Sequence, residues 1–160
     1  MRSHTILAAA FAAFVLLAPT ASAQTTRIGP FVGFNSGREE VSLGLNAHFG
    51  IDTGDRELIV GVVAELIPFA EGESVTFIDL DLLMPAAIGA LDLYGGGGLT
   101  VRYIKPEVLD ADTDVGLNLK GGVVFGSETR GWSPFIEVVQ TIGAGTEFST
   151  RAGVFFQLGR

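Results

Sequence analysis

The sequence predicts an all-β fold, specifically an eight-stranded antiparallel up-and-down transmembrane β-barrel. From residue 27 to the end of the chain, about eight segments alternate apolar residues with small or polar ones. Gly, Pro, Asp and Ser, which favour turns, separate these segments. A secretory signal precedes them, and alternating segments of about ten residues behind such a signal are typical of a membrane barrel.

The first 23 residues are interpreted as a cleavable signal peptide. Arg2 provides a positive n-region, residues 6–17 form an apolar h-region, and residues 21–23 read Ala-Ser-Ala, an A-x-A cleavage site. The apolar run is shorter than the roughly 20 residues that a transmembrane helix needs. We therefore divide the chain into a signal peptide, residues 1–23, and an outer-membrane β-barrel domain, residues 24–160.

The first four segments carry apolar residues on one row, and the acids of the third and fourth segments lie on the other row. The first, residues 27–35, aligns Ile28, Pro30, Val32 and Phe34, and the second, residues 41–51, has apolar residues at every odd position. A helical period of 3.6 would mix these rows. The third and fourth, residues 57–66 and 74–84, follow the same rule. Their acids lie opposite the apolar row, at Glu57, Glu65, Asp79 and Asp81.

The last four segments continue the alternation. The fifth, residues 91–104, contains four consecutive glycines, and the sixth, residues 115–125, sets Leu117 and Leu119 against a polar row. The seventh and eighth cover residues 134–141 and 148–158. The charged and amide residues on the polar rows are Arg102, Asn118, Lys120, Glu137 and Arg151.

Composition decides which row faces inward. The polar rows are rich in glycine and carry few charges, and the lumen of an eight-stranded barrel is so narrow that side chains fill it. We therefore place the polar rows inside and the apolar rows against lipid. The predicted polar network of the lumen consists of His48, Glu65, Asp79, Asp81, Arg102, Asn118, Lys120, Glu137 and Arg151.

Ion pairing is expected within this network. Unpaired buried charges are costly, whereas paired and hydrogen-bonded ones are tolerated. We therefore expect the four acids, Glu65, Asp79, Asp81 and Glu137, to pair across the lumen with the three cations, Arg102, Lys120 and Arg151. This network would fill the lumen and would have a structural role.

The chain resembles the small outer-membrane β-barrel family that includes the OmpA transmembrane domain and OmpX. The resemblance rests on the signal peptide, the eight segments, the run Tyr94-Gly-Gly-Gly-Gly-Leu99 and the closing stretch AGVFFQLGR at residues 152–160. It implies location in the cell outer membrane with periplasmic termini, insertion by the barrel-assembly machinery, a monomeric state, and contact with outer-membrane lipid and lipopolysaccharide. It also implies a structural or interaction role in the envelope, with at most weak permeation.

Composition and motifs argue against other activities. The formal net charge of −8 argues against nucleic acid as a partner, because phosphate binding relies on clustered Lys and Arg. Cysteine is absent from the sequence, and His48 is the only histidine after the signal. The acids at 110, 112 and 114 open like a calcium loop, but Val115 and Gly121 stand where an EF-hand needs Gly and Glu. We expect no enzymatic activity, cofactor or metal.

Two alternatives remain open at this point. A soluble periplasmic lipocalin-like barrel would turn the apolar rows inward and bind a small apolar ligand. A lipid-modifying barrel enzyme would need a nucleophile and a base brought together near one rim. The face that points into the barrel distinguishes the first alternative from a membrane barrel.

Overall fold

The computed structural model describes residues 26–54, 56–70, 73–89, 91–106, 111–126, 131–143 and 145–158. The predicted signal peptide lies outside these ranges. Eight strands are present, in chain order β1 Thr26–Asn35, β2 Glu40–Asp52, β3 Glu57–Ala70, β4 Glu73–Ile88, β5 Leu91–Pro106, β6 Asp112–Phe125, β7 Trp132–Ile142 and β8 Glu147–Leu158. Within the described ranges, no helix is long and apolar enough to cross a membrane.

Each strand pairs antiparallel with the next one along the chain, and β8 pairs with β1 to close the barrel. Val32 of β1 lies opposite Ala152 of β8 at this closure. A closed barrel has no free strand edge, so every strand has two hydrogen-bonded neighbours. The prediction of an eight-stranded antiparallel up-and-down barrel is confirmed.

The barrel has two rims that differ in what they carry. The terminal rim contains the start of β1, the end of β8 and the β2–β3, β4–β5 and β6–β7 connections. The loop rim contains the other four connections. At the terminal rim Gly54 and Gly89 have φ angles of 85° and 64°, which glycine adopts without steric cost. At the loop rim the Asn35 Oδ1 atom accepts hydrogen bonds from the amides of Gly37 (3.0 Å) and Arg38 (3.2 Å), which fixes the β1–β2 turn.

The apolar rows point outward along all eight strands. Many large apolar side chains on these rows are exposed, among them Val41, Leu82, Leu117 and Ile136. The inward rows bury Ser, Asn, Asp, Glu, Lys and Arg side chains. The soluble lipocalin-like alternative needs the reverse arrangement, so the structure does not favour it.

The inside of the barrel is less polar than the sequence suggested. We expected glycines and paired charges to fill it, but seven apolar or aromatic side chains form a buried cluster in the lumen. Its members are Phe31, Val63, Leu83, Tyr94, Val124, Phe135 and Phe155. A second, smaller cluster lies toward the loop rim and contains Ile67, Val75 and Phe77. Apolar residues on an otherwise polar row therefore form part of the core.

The lumen as the candidate functional site

Four regions follow one another along the lumen from the terminal rim to the loop rim. The first is an open cavity. The second is an aromatic layer that closes the inner end of this cavity and contains Phe31, His48, Tyr94, Phe135 and Phe155. A central charge network follows. A cluster of ion pairs then lies at the loop rim. The alternating rows place these groups, because every second residue of each strand points inward.

The central charge network is built around two buried cations, Lys120 of β6 and Arg151 of β8. The Lys120 Nζ atom lies 3.4 Å from Asp79 Oδ2, 3.9 Å from Glu137 Oε1, and in hydrogen-bond contact with Asp81. All four side chains are almost completely buried. One ammonium group therefore faces three carboxylates.

Arg151 binds a partly overlapping set of acids. Its guanidinium lies 3.0 Å from Glu137 Oε1 and 3.2 Å from Asp79 Oδ2, and it also contacts Glu65. Asp79 and Glu137 thus bridge the two cations. The guanidinium also lies 5.2 Å from the ring centroid of Phe31, on the side of the aromatic layer. Its planar fork of donors suits several carboxylates at once better than an ammonium group would.

Four neutral side chains donate hydrogen bonds to three of these acids. Tyr94 Oη donates to Glu137 Oε2 at 2.9 Å, and Thr100 Oγ1 donates to Asp79 Oδ1 at 2.6 Å. Asn46 Nδ2 also donates to Glu137, and Ser42 Oγ donates to Glu65. Sequence reasoning did not include these four residues in the predicted polar network, although all of them lie on the inward rows it had identified.

Arg102 does not join the central network. We expected it to pair with Glu65, Asp79, Asp81 or Glu137, but its guanidinium lies 2.6 Å from Asp114 Oδ2 and 3.1 Å from Glu147 Oε1. Arg102 is inward-facing near the end of β5, and this height in the barrel brings it to the loop rim. Its expected pairing was therefore wrong.

Glu147 connects the ion pairs at the loop rim. Its Oε1 atom also lies 3.2 Å from the Nε atom of Arg38, and its Oε2 atom accepts a 2.6 Å hydrogen bond from Asn35. The group joins β1, the β1–β2 turn, β5, β6 and β8. Sequence reasoning missed Glu147 because it stands one residue before the eighth alternating segment as predicted, residues 148–158.

His48 and Asn118 lie in different parts of the lumen. His48 is buried in the aromatic layer. The centroid of its ring lies 5.0 Å from the Tyr94 ring centroid and 4.7 Å from the Phe155 ring centroid. Asn118 is buried on the inward row of β6, next to Lys120 on that row.

The aromatic layer closes the lumen between the charge network and the terminal rim. Phe135 and Phe155 stack with ring centroids 4.2 Å apart. Three inward aromatic side chains face a glycine across the sheet, in the pairs Phe31–Gly44, Tyr94–Gly122 and Phe135–Gly153. A Cβ atom at any of these glycines would collide with the facing ring. These three glycines therefore make room for the aromatic rings.

A cavity of about 510 Å³ opens at the terminal rim. His48, Tyr94, Ile59 and Val124 are among the residues that line its inner end, while Arg27, Arg56, Glu57 and Asp92 lie near its mouth. The cavity ends at the aromatic layer. Among the residues the structure describes, no group of three or more His, Cys, Asp or Glu side chains is arranged to hold a metal ion.

Comparison with solved structures relates this architecture to known barrels. The N-terminal β-barrel domain of Pseudomonas aeruginosa OprF matches with a TM-score of 0.67 at 14% identity, covering 84% of this chain and 97% of that one. Ail, the attachment invasion locus protein of Yersinia pestis, matches with a TM-score of 0.60 at 11% identity, covering 84% and 97%. The outer membrane enzyme PagL matches with a TM-score of 0.50 at 12% identity, covering 84% and 99%.

No known family profile and no curated protein sequence matches the chain. The structural neighbours are small eight-stranded outer-membrane β-barrels, so the resemblance to that group is confirmed at the level of fold. Identities of this size show the fold alone. Because an outer membrane enzyme is among the neighbours, the fold does not decide between a catalytic and a non-catalytic role.

Proposed function

We propose that this protein is a small β-barrel of the bacterial outer membrane with a closed lumen and a structural or interaction role in the envelope. One observation carries the proposal: the apolar rows form a continuous outward belt, while a charge network and an aromatic layer fill the inside. The apolar outer surface of such a barrel can face lipid, and its side chains fill the lumen in place of water.

The dimensions and the aromatic residues support a place in the membrane. The strands contain 10 to 16 residues, and a tilted strand needs about 9–11 residues to cross the hydrocarbon core. Outward aromatic residues lie near both ends of the barrel. Trp132 and Phe156 are register partners near the terminal rim, and Phe34 and Phe148 lie near the loop rim. Aromatic side chains are enriched at both interfaces of membrane barrels.

Because side chains fill the lumen, we expect the barrel to let solutes through weakly at most. An eight-stranded barrel leaves an interior just wide enough for side chains, and here two layers in series occupy it. A solute would have to displace both the ion pairs that Lys120 and Arg151 form with buried carboxylates and the stacked rings of Phe135 and Phe155. We infer that the barrel acts through its outer surface and rims rather than as a pore.

The partners that follow from this proposal are membrane components. The outward belt would contact acyl chains of outer-membrane lipid and lipopolysaccharide, and the barrel-assembly machinery would insert the chain. A closed barrel leaves no strand edge for pairing with a second copy, which favours a monomer. The proposed signal peptide, residues 1–23, would direct export.

Folding in detergent tests the proposal. Residues 24–160 are refolded with and without detergent or lipid and run on a gel, boiled and unboiled. We expect a compact band that requires detergent and shifts on boiling, and almost no conductance after reconstitution in a planar bilayer. A monodisperse, folded protein in plain buffer would overturn the membrane assignment, and large steady conductance would overturn the closed lumen.

A further inference from the structure

We propose that the cavity at the terminal rim binds the headgroup of a zwitterionic phospholipid from the adjoining membrane leaflet. The inference rests on the proposed membrane location and adds a ligand to it. Three features of the cavity carry the argument: its size and closed end, the mixed charges at its mouth, and its continuity with the lipid-facing surface.

The size and shape suit a small polar group. The cavity volume of about 510 Å³ lies in the range of ligand sites, about 300–1,000 Å³. Its inner end is closed by His48 and Tyr94, and Phe155 packs against the far side of the His48 ring. A group that enters from the terminal rim therefore stops at the aromatic layer. The site is a dead end rather than the entrance to a channel.

The charges at the mouth are mixed. Arg27 and Arg56 contribute guanidinium groups, and Glu57 and Asp92 contribute carboxylates. Arg27 and Asp92 lie 3.6 Å apart, and their side chains are 20% and 43% exposed. Guanidinium groups bind phosphate through paired hydrogen bonds, whereas carboxylates attract an ammonium group. A ligand with one phosphate and one ammonium group satisfies both kinds of residue, whereas a simple anion meets repulsion from both carboxylates.

The cavity is also continuous with the membrane-facing surface. Met84 and Leu93 belong to the outward rows of β4 and β5, yet they line the same cavity as the inward-facing Asp92 and Tyr94. Ala86 and Ala87, two small residues at the end of β4, also line the cavity. An acyl chain can therefore lie along Met84 while its headgroup enters the mouth, which favours a lipid over a soluble zwitterion.

The test uses residues 24–160 folded in an uncharged maltoside micelle, with folding verified by heat-modifiable migration. Dihexanoyl phosphatidylethanolamine is titrated in, and the backbone amide shift of Gly50, which lines the cavity, reports binding by NMR. We expect a saturable shift at Gly50 and none at Gly37 of the loop rim. Asp92→Asn should weaken binding about tenfold, the effect of losing one charge-assisted contact.

Controls separate the parts of the inference. Asp114→Asn removes a carboxylate paired with an arginine at the opposite rim, and it should leave the affinity unchanged. Glu57→Gln provides a second variant of the mouth. Dihexanoyl phosphatidylglycerol, which lacks the ammonium group, should bind more weakly, and Asp92→Asn should not weaken its binding further because the substitution removes one repelling carboxylate. Free phosphoethanolamine, which lacks acyl chains, should bind more weakly than the lipid.

The possible failures are distinguishable. Equal binding of phosphatidylglycerol, equal binding of free phosphoethanolamine, or shifts spread evenly over the outward rows would each overturn this inference and leave the membrane barrel intact. An absence of any shift in a barrel that folds and migrates as expected would do the same. A chain that folds without detergent would overturn the proposed function and this inference together.

Discussion

Tyr94 and Gly122 face each other in register across β5 and β6, and the Tyr94 ring occupies the space that a side chain at Gly122 would need. The same ring packs edge-on against His48, and its hydroxyl donates to Glu137. Tyr94 therefore joins the aromatic layer to the central charge network. A glycine on β6 makes this connection possible.

Gly122→Ala should destabilise the barrel because the new methyl group collides with Tyr94. We expect a loss of about 1–3 kcal/mol in the free energy of unfolding, the usual cost of overpacking. Urea unfolding in detergent, followed by Trp132 fluorescence, measures it. Gly121→Ala is the matched control, since its Cβ atom faces outward with nothing nearer than 4.0 Å. Equal losses for the two variants would refute the steric explanation.

Tyr94→Phe should keep the ring packing and remove only the hydrogen bond to Glu137. Because the acceptor is a buried carboxylate in ion-pair contact with Arg151, we expect a loss of about 1.5–3 kcal/mol in the free energy of unfolding. The same unfolding assay applies. Tyr103→Phe, at an outward position of β5, serves as the control and should change stability little. An unchanged free energy of unfolding in Tyr94→Phe would show that Glu137 accepts a hydrogen bond from another donor.

Lys120→Met should be more damaging than Arg102→Met. Lys120 faces three buried carboxylates, so its removal leaves them undercompensated and should cost about 3–5 kcal/mol. Arg102 lies at the loop rim, where its partner Asp114 is 37% exposed and water can take over part of the pairing. The cost of Arg102→Met should therefore be smaller. Unfolding midpoints of both variants in one detergent decide the order.

A double variant tests whether the Lys120 effect is electrostatic. Adding Asp81→Asn to Lys120→Met removes one of the stranded carboxylate charges, so the double variant should be more stable than Lys120→Met alone. The comparison uses the free energies of unfolding of the wild type, both single variants and the double variant. Strictly additive losses would mean that Lys120 acts mainly through packing.

Period two along the chain was enough to predict the strands and their two faces, and the glycine-rich, sparsely charged composition of the polar rows predicted which face points inward. The alternation of Val41 to Ile51, for example, corresponds to the inward and outward rows of β2. The pairing partners inside the barrel were harder to predict, because they depend on the tilt and stagger of the strands around the closed sheet. Arg102 and Lys120 both lie on inward rows, but only their heights along the axis decide which acids they meet.

The aromatic layer could have been foreseen only in part. Phe135 and Phe155 stand on the predicted polar rows, opposite Ile136 and Phe156, so their inward direction follows from the alternation. What the sequence does not show is that Gly153 lies beside Phe135 across the sheet, because that neighbour is set by register. The sequence predicted glycine on the inward rows only as a small residue for a narrow lumen, whereas Gly44, Gly122 and Gly153 each make space for a specific ring.

Two closed layers in series predict how conductance responds to truncation. Arg151→Ala removes the guanidinium that bridges Glu65, Asp79 and Glu137, but the stacked Phe135 and Phe155 rings still close the lumen. We expect no rise in single-channel conductance in a planar bilayer.

Adding Phe155→Ala to Arg151→Ala breaches both layers and should produce measurable openings, provided that heat-modifiable migration shows a folded barrel. Phe156→Ala, on the outward row next to Phe155, is the control and should keep the barrel closed in either background. Openings in Arg151→Ala alone would show that the charge network is the only barrier.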